Sequence, residues 1–212
     1  MPKKIFFSFH YADVKSFRAN VVRNSWKVRG NSEKSFTDGS LWERVKRQGD
    51  HAIQNLIDHT GLKNTSVTSV LIGPETHSRR WVRYEILKSF TRGNGIFGIH
   101  LNRIRGNDGR IHAKGIDPLS RLGFKIDGDG SRIYFYELNN RRWEVNSDIP
   151  SVKNKQSNTL YFPRTFWGRN SSWGDFYRFS DFFPSYCWKS HDGYYNLPEW
   201  VDNSLEQVRS EH

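Results

Sequence analysis

The stretch SVTSVLIGPETHSRRWVRYEILKSF, residues 66–90, decides the fold of this chain. Its first part, residues 66–72, is rich in Val, Thr and Leu, a pattern typical of a strand, and Gly73 and Pro74 end it. The second part, residues 78–90, has the apolar spacing of a helix. The stretch therefore predicts a strand followed directly by an amphipathic helix.

The predicted helix places a carboxylate beside its buried face. Val82, Ile86 and Phe90 recur at i, i+4 and i+8, which puts them on one face. Trp81 and Glu85 are four residues apart, so they lie on one side of the helix, next to that apolar stripe. A carboxylate half-buried beside an indole is a plausible group for chemistry at a cationic carbon.

Working outward, strands and helices alternate along the first half of the chain. Four further segments have strand patterns: residues 4–9, 35–37, 96–101 and 132–137. Helical spacing occurs twice more, in residues 11–24 (Val14, Phe17, Val21) and residues 50–59 (Ile53, Leu56, Ile57). This alternation predicts an open, mainly parallel α/β sheet, whose binding site lies outside the carboxyl ends of the strands.

The character of the chain changes after residue 144. Residues 146–158 are polar, residues 162–188 are crowded with aromatic side chains, and the segment ends in a helical pattern formed by Leu197, Val201, Leu205 and Val208. So many exposed aromatic residues would be a liability for a soluble protein. We therefore expect one α/β domain at residues 1–145 and a C-terminal extension at 146–212 that packs on the same domain.

Composition places limits on the function. The 212 residues contain 33 Lys and Arg against 22 Asp and Glu, a net charge of +11, and 15% are aromatic. The basic residues are spread along the chain, which favours a diffuse positive field over a dedicated nucleic-acid stripe. A plain soluble basic surface, nucleic acid, an acidic partner and a phosphate-bearing substrate all remain open as explanations of the charge.

Cellular location is constrained by what the sequence lacks. The single cysteine, Cys187, allows no internal disulfide and suits a reducing compartment. The apolar run near the N-terminus is too short for a signal peptide, and no stretch approaches the roughly 20 apolar residues of a membrane span. We expect a cytoplasmic protein with no membrane partner.

Several common catalytic motifs are missing from the sequence. The turn after the first strand, residues 8–13, contains no glycine, so it is neither a Walker loop nor a dinucleotide fingerprint. His51 and His59 lack partners at ligand spacing, and no HExxH or CxxC occurs, so no metal is expected. No GxSxG supports a serine hydrolase, and Cys187 in its aromatic surroundings suits an inert thiol better than a nucleophile.

Five short motifs resemble, in order, the landmarks of TIR domains. They are FFSF at residues 6–9, FTD at 36–38, Trp42 followed by Gly49 and Asp50, VTSVLIG at 67–73, and WxxxE from Trp81 to Glu85. The sequences of residues 6–24 and 79–89, together with DGY at 192–194 and EWV at 199–201, are similar to those of one group of TIR-like proteins in particular. That group is the TIR-like ThsB proteins of the bacterial Thoeris antiphage system.

The resemblance implies a fold and an activity. The fold would be a flavodoxin-like, TIR-type three-layer α/β structure with a mainly parallel central sheet. The activity would be cleavage of the nicotinamide bond of NAD, with NAD as substrate and no resident cofactor. The product would be a cyclic ADP-ribose isomer, or ADP-ribose coupled to another small molecule. A phage protein would trigger the enzyme, the product would activate the effector ThsA, and the chain would self-associate.

Glu85 is the expected catalytic residue, because a carboxylate near C1 of the ribose stabilises an oxocarbenium-like state. The substrate-binding candidates are Ser8, Phe9, His10, Tyr11, Asp38, Trp42, Asp50, Arg79, Arg80 and Trp81.

Each group of candidates also has a plain structural explanation. The four aromatic residues suit stacking on adenine or nicotinamide, or ordinary core packing. The two arginines in the first helical turn suit a pyrophosphate, or are solvated. Asp38 and Asp50 suit turn and N-cap hydrogen bonds in the loop. A non-enzymatic TIR adaptor and a basic nucleic-acid-binding module remain alternative functions.

Overall fold

The computed structural model describes residues 4–15, 17–28, 36–38, 46–154 and 174–208. The helices of these residues are α1 Tyr11–Lys15, α2 Arg18–Val28, α3 Asp50–Leu56, α4 Arg80–Thr91 and α5 Gly193–Val208. The strands are β1 Ile5–Phe9, β2 Phe36–Asp38, β3 Val67–Ile72, β4 Gly95–His100, β5 Leu122–Ile126, β6 Arg132–Asn139, β7 Arg142–Val145, β8 Ser151–Lys153, β9 Phe176–Arg178 and β10 Ser185–Cys187.

A parallel sheet of five strands forms the centre of the molecule, in the order β10-β4-β3-β1-β2. Every residue of β1, β3 and β4 is buried, as expected for strands covered on both faces. Their unbroken apolar runs are therefore explained by their central position. The open, mainly parallel α/β sheet predicted from the sequence is confirmed.

Helices cover both faces of this sheet. On one face, α2 and α5 pack against odd-numbered side chains of β1, such as Phe7, in a cluster that includes Trp26 and Trp200. On the other face, α4 lies against Val70 and Ile72 of β3. Because side chains alternate along a strand, Ser8 points to the α4 side while Phe7 and Phe9 point away from it. This alternation decides which β1 residues can reach the site.

A second, antiparallel sheet packs on the outer side of α4. It has the order β7-β6-β5-β9, with β8 also paired to β6. Phe90 of α4 contacts the rings of Phe124, Phe135 and Phe179, with centroids 5.3, 5.7 and 5.0 Å away. Helix α4 is thus enclosed between two sheets, which explains why eight of its twelve residues are buried.

The sequence pattern predicted residues 132–137 as the fifth strand of the parallel sheet, and this prediction was wrong. Those residues lie in β6 of the antiparallel sheet, and the fifth parallel strand is β10, which pairs with β4. Buried Ile133 and Phe135 alternate in β6 with partly exposed neighbours, the pattern of a sheet with one covered face. The edge of the parallel sheet therefore comes from the C-terminal part of the chain.

The single helix predicted for residues 11–24 was also wrong. The chain forms α1 and α2 with a break at Phe17, whose φ of 64° is not helical. The break shifts the phase of the following turn, so Phe17 and Val21 are 57% and 40% exposed, and Ala19, Val22 and Trp26 form the buried face instead.

The last predicted helix is confirmed as α5. Its four predicted apolar positions, Leu197, Val201, Leu205 and Val208, are all buried. None of the helices in the described part of the chain has the length and apolar character that crossing a membrane requires.

Candidate functional site

The Glu85 side chain extends from α4 towards the sheet, and its carboxylate lies at the carboxyl end of β1. Its side chain is fully buried, more deeply than the half-buried position expected from sequence. The Ser8 hydroxyl donates a hydrogen bond of 2.5 Å to Oε2 of Glu85. An O–H···O distance of this length is at the short end of the range for hydroxyl hydrogen bonds. The Ser8–Glu85 hydrogen bond joins β1 to α4 at the edge of the sheet where the sequence predicts the site.

A chain of polar groups fixes α4 against β3. The Ser89 hydroxyl donates to the backbone oxygen of Glu85 at 2.7 Å and lies 2.7 Å from Oγ1 of Thr68. Asn94 extends the chain by donating to Oγ1 of Thr68 at 3.5 Å and to Oγ1 of Thr65 at 2.9 Å. Since these groups are buried and hydrogen-bonded, rotation of α4 would leave them unsatisfied. The network therefore holds the Glu85 side chain in its direction.

Trp81 lies one turn before Glu85, at the junction of core and surface. Its ring is 9% exposed and belongs to a small cluster with Phe6 and Tyr84. The Trp81 and Tyr84 rings meet edge to face with centroids 5.9 Å apart. The guanidinium of Arg80 lies over the indole at 4.7 Å, so one face of the ring is covered by a cation.

The arginines at the start of α4 are paired with carboxylates. Arg80 donates to Asp50 at 2.6 Å and to Asp148 at 2.6 Å, and Arg79 pairs with Glu75. The hydrogen bonds to Asp148 and then Asp50 raise the pKa of Arg80 above its already high value. Arg80 thus links the start of α3, the start of α4 and the segment between β7 and β8, and a substrate phosphate would have to share it.

Asp50 does not cap α3, contrary to the expectation from sequence. The helix begins at Asp50 itself, and Gly49, with a φ of 89°, occupies the cap position without a side-chain hydrogen bond. Glycine adopts this backbone conformation without strain. A carboxylate in the first turn still interacts favourably with the helix dipole.

A second buried carboxylate, Asp13, lies beyond the end of β1 with 4% of its surface exposed. The Thr76 hydroxyl faces its Oδ2 at 3.4 Å and accepts from the Gly73 N–H at 2.9 Å. Burial raises the pKa of Asp13 to about 6, against the opposing effects of the Thr76 hydrogen bond and the charges of Arg18 and Arg79. Asp13 thereby joins the start of α1 to the segment that leads into α4.

The remaining candidates from sequence are placed in different surroundings. Phe9 is 1% exposed in the cluster on the opposite face of the sheet from Glu85, so core packing accounts for its position. Tyr11 is 39% exposed at the start of α1, and His10 is half-buried, its carbonyl oxygen accepting from the Asp13 N–H at 2.9 Å. Asp38 ends β2, adjacent to Phe7 in the register. Trp42 lies outside the described residues.

Sequence reasoning missed the roles of Asp13 and Asp148. Asp13 ends the turn at residues 8–13 that follows the first strand, but its burial depends on Thr76, 63 residues later. Asp148 is 68 residues from Arg80 and comes from the segment classified as polar linker. Neither residue lies in a motif whose spacing could have revealed it. Among the described residues, no group of three or more His, Cys, Asp or Glu could hold a metal ion.

An open parallel sheet, with a carboxylate buried on the helix that follows its third strand, defines a TIR-like α/β domain. The family described as Thoeris protein ThsB, TIR-like domain, matches residues 6–105 of the chain. The chain is 42% identical over 203 residues to the "Putative cyclic ADP-D-ribose synthase ThsB1" of Bacillus cereus (strain MSX-D12). That match covers 95% of this chain and 100% of the relative. The chain therefore belongs to the ThsB family of Thoeris proteins, and the resemblance found in the sequence is confirmed.

Proposed function

We propose that this protein consumes NAD, breaking the bond between nicotinamide and ribose and releasing a cyclic ADP-ribose isomer. The observation that carries the proposal is the buried carboxylate of Glu85, held by Ser8 at the carboxyl end of β1. This edge of a parallel sheet is where ligands of open α/β folds bind. The name of the Bacillus cereus relative, a cyclic ADP-D-ribose synthase, supports the same product class.

The chemistry needs one well-placed carboxylate. Loss of nicotinamide leaves an oxocarbenium-like charge on C1 of the ribose, and a negative group beside it lowers the barrier. The leaving group is already cationic in NAD, so departure requires no strong general acid. A carboxylate in a water-excluded site stabilises this charge more strongly than one in bulk water. The burial and the short hydrogen bond of Glu85 fit this role.

Cyclisation requires that water be excluded and that a nucleophile of the same substrate reach C1. We propose that Trp81, which lies one turn before Glu85 on α4 and is covered by Arg80 on one face, limits the access of water. Tyr11 is 39% exposed at the same edge of the sheet, and we propose that its ring stacks on a base of the substrate. NAD enters as the substrate, and no other cofactor is part of the proposal.

The product would act as a diffusible signal. We propose that it activates the effector ThsA, and that a phage protein triggers its synthesis. Self-association of the chain is proposed as part of the active state. Family membership supports this scheme, since the chain matches the ThsB relative over nearly its whole length.

The test compares the wild-type protein with Glu85→Gln, which keeps the size and the hydrogen-bond acceptor but removes the charge. Purified protein is incubated with NAD, with and without lysate from phage-infected cells, and nicotinamide and cyclic products are measured by mass spectrometry. We expect nicotinamide release by the wild type and its loss in Glu85→Gln. Glu206→Gln, on the exposed side of α5, is the matched control and should retain activity.

Two results would contradict the proposal. If Glu85→Gln released nicotinamide at the wild-type rate, Glu85 would not be the catalytic group. If the wild type released none under any condition while remaining folded, a non-enzymatic adaptor would be the better description.

A further inference from the structure

A cavity of about 310 Å³ lies between the segment joining β3 to α4, the helix α4 and strand β6. The residues that line the cavity are His77, Ser78, Arg83, Arg121 and 137–139. Glu85 does not line this cavity, so it is separate from the site described above. Its second half is built by the antiparallel sheet, beyond the residues 6–105 that match the family.

Two guanidinium groups and one carboxylate set the charge of the cavity. Arg83 Nε pairs with Glu137 Oε2 at 3.0 Å, and both side chains are mostly buried, at 20% and 14% exposed. Arg121 donates to the backbone oxygen of Leu138, which is a neutral acceptor. The charge of Glu137 is therefore matched by Arg83, and the charge of Arg121 is balanced by no carboxylate among the residues that line the cavity.

The positive charges of the cavity affect the titration of His77. Its pKa lies below the ordinary value, because of burial first and then the positive charge of Arg121, with Arg83 adding in the same direction. A backbone hydrogen bond with Pro74 opposes the shift. The groups that face His77 thus disfavour another cation, which is the condition under which an anion is favoured.

We propose that this cavity binds a phosphate-bearing small molecule, with the phosphate held between Arg121 and Arg83. A guanidinium carries five N–H groups in a planar fork that matches phosphate oxygens, and the bond to Leu138 occupies only part of the Arg121 fork. The Ser78 hydroxyl and the His77 ring add polar groups at the wall. A volume near the lower limit of small-molecule pockets suits a phosphomonoester of about nucleotide size.

Glu137 is the competing anion in this arrangement. A bound phosphate must share Arg83 with the Glu137 carboxylate, whose other contacts are Asn139 at 3.0 Å and Asn146 at 3.3 Å. Neutralising Glu137 frees the guanidinium for the ligand and removes a repulsive charge. The proposal therefore predicts opposite effects from removing the two kinds of charge, which simple loss of structure would not produce.

The experiment measures phosphate binding by calorimetry at constant ionic strength, with inorganic phosphate and adenosine monophosphate as probes. We expect the wild type to bind both, Arg121→Gln to bind at least tenfold more weakly, and Glu137→Gln to bind more tightly. Arg92→Gln is the matched control, since Arg92 is also a partly free guanidinium that donates to a backbone oxygen, that of Asp58 at 3.1 Å. This control should bind like the wild type.

Three outcomes would overturn the proposal: no binding by the folded wild type, equal weakening in Arg121→Gln and Arg92→Gln, or weaker binding in Glu137→Gln. Circular dichroism checks the fold of each variant. If Arg121→Gln fails to fold, the sign of the Glu137→Gln effect decides the question alone. Glu85→Gln should leave phosphate binding unchanged, so this site and the proposed NAD site are tested independently.

Discussion

The buried carboxylate of Asp13 predicts an unusual dependence of stability on pH. Most native carboxylates have a lowered pKa and stabilise the fold above pH 4, whereas burial raises the pKa of Asp13 from 3.8 to about 6. Between these values the folded state binds more protons than the unfolded state. By linkage, the contribution of Asp13 to the free energy of unfolding is therefore greatest at low pH and falls as the pH rises through this window.

The magnitude follows from the size of the shift. A rise of about two pKa units corresponds to at most about 3 kcal/mol, at about 1.4 kcal/mol per unit. The perturbation is Asp13→Asn, which keeps the shape and polarity of the side chain but cannot ionise. The free energy of unfolding of both proteins would be measured by urea denaturation from pH 4 to pH 8. Their difference isolates Asp13 from the other titrating groups.

We expect Asp13→Asn to gain stability relative to the wild type as the pH rises from 4 to 7, by up to about 3 kcal/mol, and to change little above pH 7. The absolute difference at any one pH also contains the altered hydrogen bond to Thr76, so only its change with pH is diagnostic. A difference that is constant with pH, or that moves in favour of the wild type as the pH rises, would refute the reasoning.

Three further predictions concern the same elements. A Cβ on Gly73 would overlap the buried carboxylate of Asp13, so Gly73→Ala should lower the free energy of unfolding by about 1–3 kcal/mol. Gly128 has open space around it, so the control Gly128→Ala should change the free energy of unfolding by less than about 0.5 kcal/mol. Ser8→Ala removes the hydrogen bond to Glu85, whose charged form the proposed reaction requires. A hydrogen bond to a charged group is worth about 1.5–3 kcal/mol, so kcat for nicotinamide release should fall roughly 10- to 100-fold with KM little changed; an unaltered kcat would contradict this. Ending the chain at Asn154 removes the edge strand β10 and, with α5, five buried apolar side chains that are worth about 7–15 kcal/mol in total. This equals the stability of a typical domain, so no cooperative thermal transition is expected; a folded truncated chain would show that residues 1–154 fold without the C-terminal part.

The elements that local pattern predicted correctly share one property. The strands β1, β3 and β4 and the helices α4 and α5 each show their hydrophobic period locally, and each was located to within about four residues. The failures came where local pattern was insufficient. Phe17 has a positive φ that no neighbouring residue demands, and the apolar period runs through it unchanged.

The candidate site was partly predictable for the same reason. Glu85 and Trp81 were found because they share a helix at a spacing of four residues, and Ser8 because it lies at the carboxyl end of the first predicted strand. The pairing of Arg80 with Asp50 and Asp148 was not predictable, since it needs segments from three parts of the chain. The burial of Asp13 was not predictable for the same reason, since it depends on Thr76, 63 residues away.

Sequence alone determined the class of fold, because hydrophobic period is a local property that survives without knowledge of distant partners. It also determined which carboxylate lies on the inner side of α4. Only the tertiary structure decided that β10 completes the parallel sheet, and that Ser8 meets Glu85 across 77 residues. Strand pairing and the burial of charge depend on groups that are remote in the chain, so their energies are fixed only when the whole chain has packed.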